Sequence, residues 1–281
     1  MKIVVAENAG FCYGVMRAIR MADDALKRHR RIYSLGPIIH NPQVVEEYEK
    51  KGLIVVDRLE KFDAPVLIRS HGVPPQLYKQ LKENGVEYID ATCPFVKEAQ
   101  DYARGLYQEG YTVVIFGDKD HPEVKAHMGY ADYKAIVVNT PQEARSVVAQ
   151  RIGVISQTTQ SVERFASVVG ELSKNAKELK VYNTICDATE KRQRSAKKLA
   201  GESDVMIVIG GKNSANTRKL YEICRRYSPR AYHIETEKEI DPRWFEGAKQ
   251  VGITAGASTP SYMIERIKRF IEGLANDGKV R

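Results

Sequence analysis

Three cysteines recur in one local setting. Cys12 lies in Gly10-Phe11-Cys12-Tyr13-Gly14, Cys93 in Asp90-Ala91-Thr92-Cys93-Pro94, and Cys186 in Asn183-Thr184-Ile185-Cys186-Asp187. Each follows a short extended stretch and precedes a helical one. A polar residue stands 28 positions beyond each, in a loop after an apolar strand: His40, His121 and Ser214. A second apolar strand and polar loop follow in every segment and bring in His71, Thr158 with Thr159, and Ser258. The arrangement of helix-entry cysteine, strand with polar loop, and strand with polar loop therefore occurs three times.

Three thiolates meeting at one point suit a soft metal or a cluster. A thiol at a helix start is acidified by backbone N–H groups and the helix dipole. In a cubane of four irons, three cysteines leave one iron open to act as a Lewis acid. Zinc with three cysteines and an open position is the competing metal. Any one cysteine alone reads more readily as a small core residue. Cys224, in Tyr221-Glu222-Ile223-Cys224-Arg225, falls inside a helix and has no counterpart in the repeat. It is assigned to core or surface.

His40, His71 and His121 come with Ser214, Asn216 and Ser258 on short loops with glycine nearby. Donors of this kind, approaching from several directions, suit phosphate oxygens. No Walker motif or G-x-G-x-x-G is present, so ATP and dinucleotide binding are not supported. Glu123 follows His121 by two residues. Beside a metal and a phosphate pocket it could relay protons. Taken alone, it reads as a first-turn acid after Pro122. Thr158 is placed to position Glu123 or a substrate hydroxyl.

The elements that must carry these residues alternate. Apolar runs at 2–6, 66–70, 112–116, 152–156, 205–210 and 251–254 read as buried strands. Stretches at 14–30, 74–84, 94–109, 162–175, 188–201 and 260–273 read as helices, with Pro74, Pro94 and Pro260 suited to first-turn positions. This alternation implies an α/β fold with mainly parallel sheets. A repeat of about 90 residues implies three pseudo-symmetric lobes. Ligands of such sheets bind beyond the carboxyl ends of the strands, so three lobes could face one common centre.

Composition sets the outer limits. The chain has 281 residues, 43% of them hydrophobic, and a net charge of +8. At roughly 150 residues per domain, two or three units are expected. No stretch approaches the ~20 apolar residues that span a bilayer. Met1 to Ala6 reads as a strand and lacks the regions of a signal peptide, so a cytoplasmic location without membrane association is expected. Four cysteines are too few for a disulfide framework at this length. The positive charge suits an anionic ligand, while the dense runs at 27–31 and 191–198 read as exposed helix faces. A non-enzymatic nucleic-acid binder is the alternative that charge suggests, but no helix-turn-helix, RRM or zinc-finger signature supports it. A two-thiol amino-acid racemase is a second alternative. It explains neither the third cysteine nor the histidines.

The residues resemble the LytB/IspH family of 4-hydroxy-3-methylbut-2-enyl diphosphate reductases. Matching segments run in family order: 9–15, 36–41, 69–73, 90–94, 121–124, 156–159, 184–189, 211–216 and 256–260. The resemblance implies three α/β lobes at 13–92, 93–185 and 186–281 plus 1–12, around a central [4Fe–4S] cluster held by Cys12, Cys93 and Cys186. It implies that the substrate hydroxyl approaches the fourth iron. The diphosphate would be held by His40, His71, His121, Ser214, Asn216 and Ser258, with Thr158 also at the substrate. Glu123, assisted by Thr158, would deliver protons. Two electrons and two protons would remove the hydroxyl as water, through an allyl intermediate, to give isopentenyl or dimethylallyl diphosphate. A ferredoxin or flavodoxin would supply the electrons. One departure is visible: Ala215 stands where the family often has serine.

Overall fold

The computed structural model describes residues 1–58 and 62–276. The first segment carries strand β1 (Lys2–Val5), helix α1 (Tyr13–Arg28), β2 (Ile32–Leu35), α2 (Pro42–Lys50) and β3 (Leu53–Val56). β4 (Val66–Ile68), α3 (Pro75–Glu83), β5 (Tyr88–Asp90) and α4 (Pro94–Gln108) follow. Next come β6 (Thr112–Phe116), α5 (Pro122–Tyr130), β7 (Ile136–Val138), α6 (Pro141–Arg145), β8 (Arg151–Ser156), α7 (Val162–Leu172) and β9 (Glu178–Val181). The last are α8 (Asp187–Glu202), β10 (Val205–Ile209), α9 (Ala215–Tyr227), β11 (Ala231–Ile234), β12 (Gln250–Ala255) and α10 (Ser261–Asn276). Residues 277–281, the end of the expected third lobe, lie outside the described residues.

Among the described residues every strand pairing is parallel, and the strands form three four-stranded sheets. Their orders are β3-β2-β4-β5, β7-β6-β8-β9 and β11-β10-β12-β1. The three orders are one pattern, in which β1 takes the place that β5 and β9 take in the other sheets. The chain leaves the first central strand toward one edge and returns to the second central strand on the other side. The crevice beyond the carboxyl ends of that central pair is where an open α/β sheet binds ligands.

The contacts divide the molecule into two compact units. One comprises Met1–Val15, His40–Val44 and the chain from Asp187 onward. It holds the β11-β10-β12-β1 sheet. Its central strand β10 is buried at every residue, as a parallel strand covered on both faces must be. One face packs Ile207, Ile209, Val251 and Ile253 on Ile264, Ile267 and Ile271 of α10. The other packs Met206 and Val208 on Ala196 and Leu199 of α8 and on Leu220 and Cys224 of α9. Cys224 is thus a core residue, and burial pushes its thiol up to about 12.

The second unit comprises Met16–Ile39 and Val45–Cys186 and holds the other two sheets. Phe116, Val114 and Val154 pack on Phe165 and Val168 of α7. On the opposite face Val113 and Ile115 meet Ala103 and Leu106 of α4 and Val124 of α5. Val66 and Ile68 pack with Leu81 of α3.

The buried central strands follow the apolar runs of the sequence. Strands β3, β5, β7, β9 and β11 were not expected. They are edge strands of three or four residues, mostly half-exposed; β5, β9 and β11 carry polar residues that break the apolar run, and β3 and β7 are apolar but only four and three residues long. A helix start after Pro122 was one reading of Glu123, but the extent of α5 was not expected, because it buries Glu123 and His127 beside Val124, Ala126 and Gly129 and carries no clean apolar stripe. Pro94 opens its helix as expected. Pro74 sits one residue earlier than expected, as the cap ahead of Pro75. Among the described residues no helix is long and apolar enough to cross a membrane.

Gly210 directly follows β10 with φ +144°, and a Cβ there would lie 2.8 Å from the hydroxyls of Thr217 and Thr259. Gly170, inside α7, would meet nothing within 4 Å. Urea unfolding should therefore show Gly210→Ala losing about 2 kcal/mol through strain and overpacking, and Gly170→Ala gaining up to about 1 kcal/mol from helix propensity. Equal effects at the two positions would contradict this packing.

Candidate active site

The repeat seen in the sequence is geometric. His40, His121 and Ser214 are each the fifth residue after the first central strand of a sheet, β2, β6 and β10. His71, Thr159 and Ser258 are each the third residue after the second central strand, β4, β8 and β12. These residues stand beyond the carboxyl ends of the central pairs, at the switch points. Thr158 precedes the repeat-equivalent position by one residue.

The cysteines repeat as well. Cys93 caps α4, and Cys12 and Cys186 directly precede α1 and α8. The backbone N–H of Cys12 donates to Ala257 O at 3.2 Å, that of Cys93 to Ser70 O at 3.0 Å, and that of Cys186 to Thr158 O at 3.1 Å. Each acceptor is the second residue after β12, β4 or β8. The three side chains are partly exposed, and none of the four cysteines is in a disulfide. Buried or half-buried arginines brace two of the cysteine loops. Arg192 of α8 donates to Gly10 O at 2.7 Å, and Arg17 of α1 donates to Thr92 O and Asp90 O. Asp90 in turn accepts from Thr92 N at 3.0 Å and pairs with Lys97 at 2.6 Å.

In the unit that begins with Met1, the hydroxyl of Ser258 donates to His40 O at 2.9 Å. A Cβ on Gly211 would stand 2.7 Å from that same carbonyl, so the two loops close on each other there. Ser214 caps α9, its hydroxyl accepting from Thr217 N at 3.3 Å. Ala215 is the first residue of that helix and offers no side-chain donor. Asn216 is only 5% exposed, and neither Oδ1 nor Nδ2 has a hydrogen-bond partner among the described residues. An unmade bond of this kind costs about 1–3 kcal/mol, which is expected of a side chain built to meet a ligand.

In the other unit, the rings of His71 and His121 meet edge to face with centroids 5.3 Å apart. His121 caps α5 in an unusual way: its imidazole Nδ1 accepts the Glu123 N–H at 3.2 Å. That bond requires Nδ1 to be deprotonated and leaves Nε2 to carry the hydrogen. Burial holds the imidazole below its ordinary pKa, against the opposing charges of Glu123 and Asp118. Arg69 adds positive charge on the same side. Its guanidinium lies over Gly36, where a Cβ would sit 2.4 Å from Nη1, and burial pulls it down to about 10 without neutralising it at pH 7.

Glu123 is 1% exposed. Thr158 donates to it twice, from the backbone N–H at 2.6 Å to Oε1 and from the hydroxyl at 2.9 Å to Oε2. His127 Nε2 stands 3.4 Å from Oε1. Burial pushes this carboxyl up, but the hydrogen bonds from His127 and from the Thr158 backbone outweigh it, and the pKa lies below the usual carboxylate value. The Glu123–Thr158 pairing matches the expectation drawn from sequence. Arg69 and His127 carried no expected role. His127 follows Glu123 by one helical turn, a signal that is visible only once 122–130 is known to be a helix.

Parallel α/β sheets with polar loops at their switch points form a ligand-binding scaffold, and comparison with known proteins specifies its class. A family model described as LytB protein matches residues 3–272. A 4-hydroxy-3-methylbut-2-enyl diphosphate reductase of Aquifex aeolicus is 49% identical over 96% of both chains. One from Geobacter sulfurreducens is 48% identical over 99% of this chain and all of its own. A solved (E)-4-hydroxy-3-methyl-but-2-enyl diphosphate reductase, described as the terminal enzyme of the non-mevalonate pathway, is 48% identical and aligns with TM-score 0.72 over 97% of this chain and 100% of that one. The E-1-hydroxy-2-methyl-but-2-enyl-4-diphosphate reductase structure from Plasmodium falciparum is 27% identical and aligns with TM-score 0.91 over 98% of this chain and 88% of that one. The protein is an oxidoreductase, and the chain belongs to the LytB family.

The capping bond makes a direct prediction for His121. Nitrogen-15 NMR of the imidazoles should find it neutral at pH 7, with the proton on Nε2 and a titration below the ordinary 6.5. A doubly protonated ring at neutral pH would contradict the capping bond.

Proposed function

We propose that the chain catalyses the reductive dehydroxylation of (E)-4-hydroxy-3-methylbut-2-enyl diphosphate to isopentenyl and dimethylallyl diphosphate, the last step of the methylerythritol phosphate route. In this reading it is a cytoplasmic enzyme of three lobes, 13–92, 93–185 and 186–281 with 1–12. The reaction consumes two electrons and two protons. The C–O bond of the allylic alcohol breaks, its oxygen leaves as water, and one proton ends on carbon.

Cys12, Cys93 and Cys186 would hold a [4Fe–4S] cluster. The donor set fits: three partly exposed thiols at helix entries, outside any disulfide, on backbone bonds of one kind. When bound, the cluster supplies the electrons and, at the iron without a cysteine, a Lewis acid. A ferredoxin or flavodoxin would reduce it.

The rest is the work of side chains. His40, His71, His121, Ser214, Asn216 and Ser258 would bind the diphosphate. The orphaned amide of Asn216 supports this, as does the buried cation of Arg69 beside His121. Neutral His121 orients an oxygen through Nε2–H without adding a full charge. Thr158 holds both oxygens of Glu123 and would also sit at the substrate. Glu123 rests ionised and must collect a proton before it can deliver one. The buried Glu123–Thr158 pair is the observation that carries this reading, because a carboxylate this deep and this fully held suits proton transfer at an enclosed site.

The test is anaerobic turnover of the substrate with a reduced donor. Glu123→Gln should lose about 100-fold or more in kcat, with substrate affinity changed by less than about 3-fold. Full turnover in that variant would remove Glu123 from the mechanism, and no turnover by the wild-type holoenzyme would remove the reaction.

A further inference from the structure

His127 has no place in the reading above, yet it lies entirely inside the protein, at 0% exposure. It is one turn from Glu123 on α5, with Nε2 3.4 Å from Glu123 Oε1. Its other nitrogen, Nδ1, is buried and has no hydrogen-bond partner among the described residues. A hydrogen on Nδ1 would therefore be a buried donor with nothing to bond, whereas a hydrogen on Nε2 faces a carboxylate oxygen. The partner of one nitrogen decides the tautomer. Nε2 donates, and Nδ1 keeps only a lone pair.

We propose that His127 is a positioning residue for Glu123: its Nε2–H bond to Oε1 holds the carboxylate ionised and turned so that both oxygens stay on Thr158. This rests on the proton-delivering role proposed for Glu123. The division of donors supports it. Thr158 N–H and His127 Nε2 both address Oε1, while the Thr158 hydroxyl addresses Oε2. Oε2 therefore accepts one bond and keeps a lone pair for an incoming proton, and Oε1 is saturated.

The surroundings leave little else to act on the pair. α4 presents Ala103 and Leu106 toward Val124 of the same helix. The loop before α3 closes on Gly129 with Pro74, whose Cβ would be 2.5 Å from an added methyl. His121 is the other titratable group acting on Glu123, and Arg69 and Asp118 act on His121. Arg104, Asp90 and Asp101 act on Tyr130 at the far end of α5.

The experiment compares His127→Gln, whose amide nitrogen overlays Nε2 and still donates, with His127→Leu, which cannot. The protein is the cluster-loaded enzyme. Two quantities are read: kcat and KM in turnover, and the pH at which the Glu123 carboxyl protonates, from the infrared band that Glu123→Gln abolishes. His127→Leu should lose about 10-fold or more in kcat at nearly constant KM, and its Glu123 band should titrate at higher pH. His127→Gln should stay within about 3-fold of wild type in kcat, with the band near its original position. If His127→Leu does not fold, His127→Asn replaces it, since its shorter amide overlays Nδ1 and cannot reach Oε1. An unmoved Glu123 titration in His127→Leu, or a His127→Gln as impaired as His127→Leu, would overturn the proposal. A fully active Glu123→Gln would instead overturn the role of Glu123. The infrared titration would still report whether His127 governs that carboxyl.

Discussion

In each sheet the backbone N–H of a cysteine is bonded to the carbonyl two residues beyond the second central strand. That bond ties the loop leaving the outer strand to the loop leaving the central one. It places a thiol at a helix entry beside the switch point of a parallel sheet. The polar loops depend on the same frame. The first central strand delivers His40, His121 or Ser214, and the second delivers His71, Thr158 or Ser258. Parallel strands make this possible, since all four end on one side of their sheet. The arginines that brace two of the cysteine loops donate to backbone carbonyls of the same loops.

The frame also explains how a carboxylate survives at 1% exposure. A buried charge is tolerated only where its oxygens are bonded. The loop after β8 supplies the Thr158 N–H and hydroxyl, and one turn of α5 supplies His127. The same turn begins with His121, whose imidazole caps the helix through the Glu123 N–H. Glu123 and His121 therefore share one short helix, with one bonded as an anion and the other held neutral. A bonded carboxylate and a neutral, capping imidazole are thus fixed in place by the fold itself. In the proposed reaction the cofactor performs the redox chemistry, while these groups supply orientation and protons.

Much of this was legible in the sequence because it rests on repetition. Equal spacing from each cysteine to His40, His121 and Ser214 reflects nearly equal helix and strand lengths between them, and most central strands announce themselves as unbroken apolar runs. Glu123 stood out as the acid beside a repeat position, and Thr158 as its partner across the sheet. Edge strands such as β5 and β9 were hidden because half-exposed residues break the apolar run. The length of helix α5 beyond its first turn was hidden because its buried face is partly polar. With its second turn unseen, His127 had no reason to be paired with Glu123. Arg69 lay inside a recognised segment, but only the fold shows that its guanidinium is buried over Gly36.

The central claim is that the three repeated cysteines hold one cluster and the fourth does not. Iron and sulfide analysis of anaerobically purified protein, with its visible spectrum, tests it most directly when repeated on Cys12→Ser, Cys93→Ser, Cys186→Ser and Cys224→Ser. The account expects about four irons per chain in wild type and in Cys224→Ser, and loss of iron in each of the other three. Absence of iron from the wild-type protein after anaerobic reconstitution would contradict it, as would undiminished iron in any of those three variants.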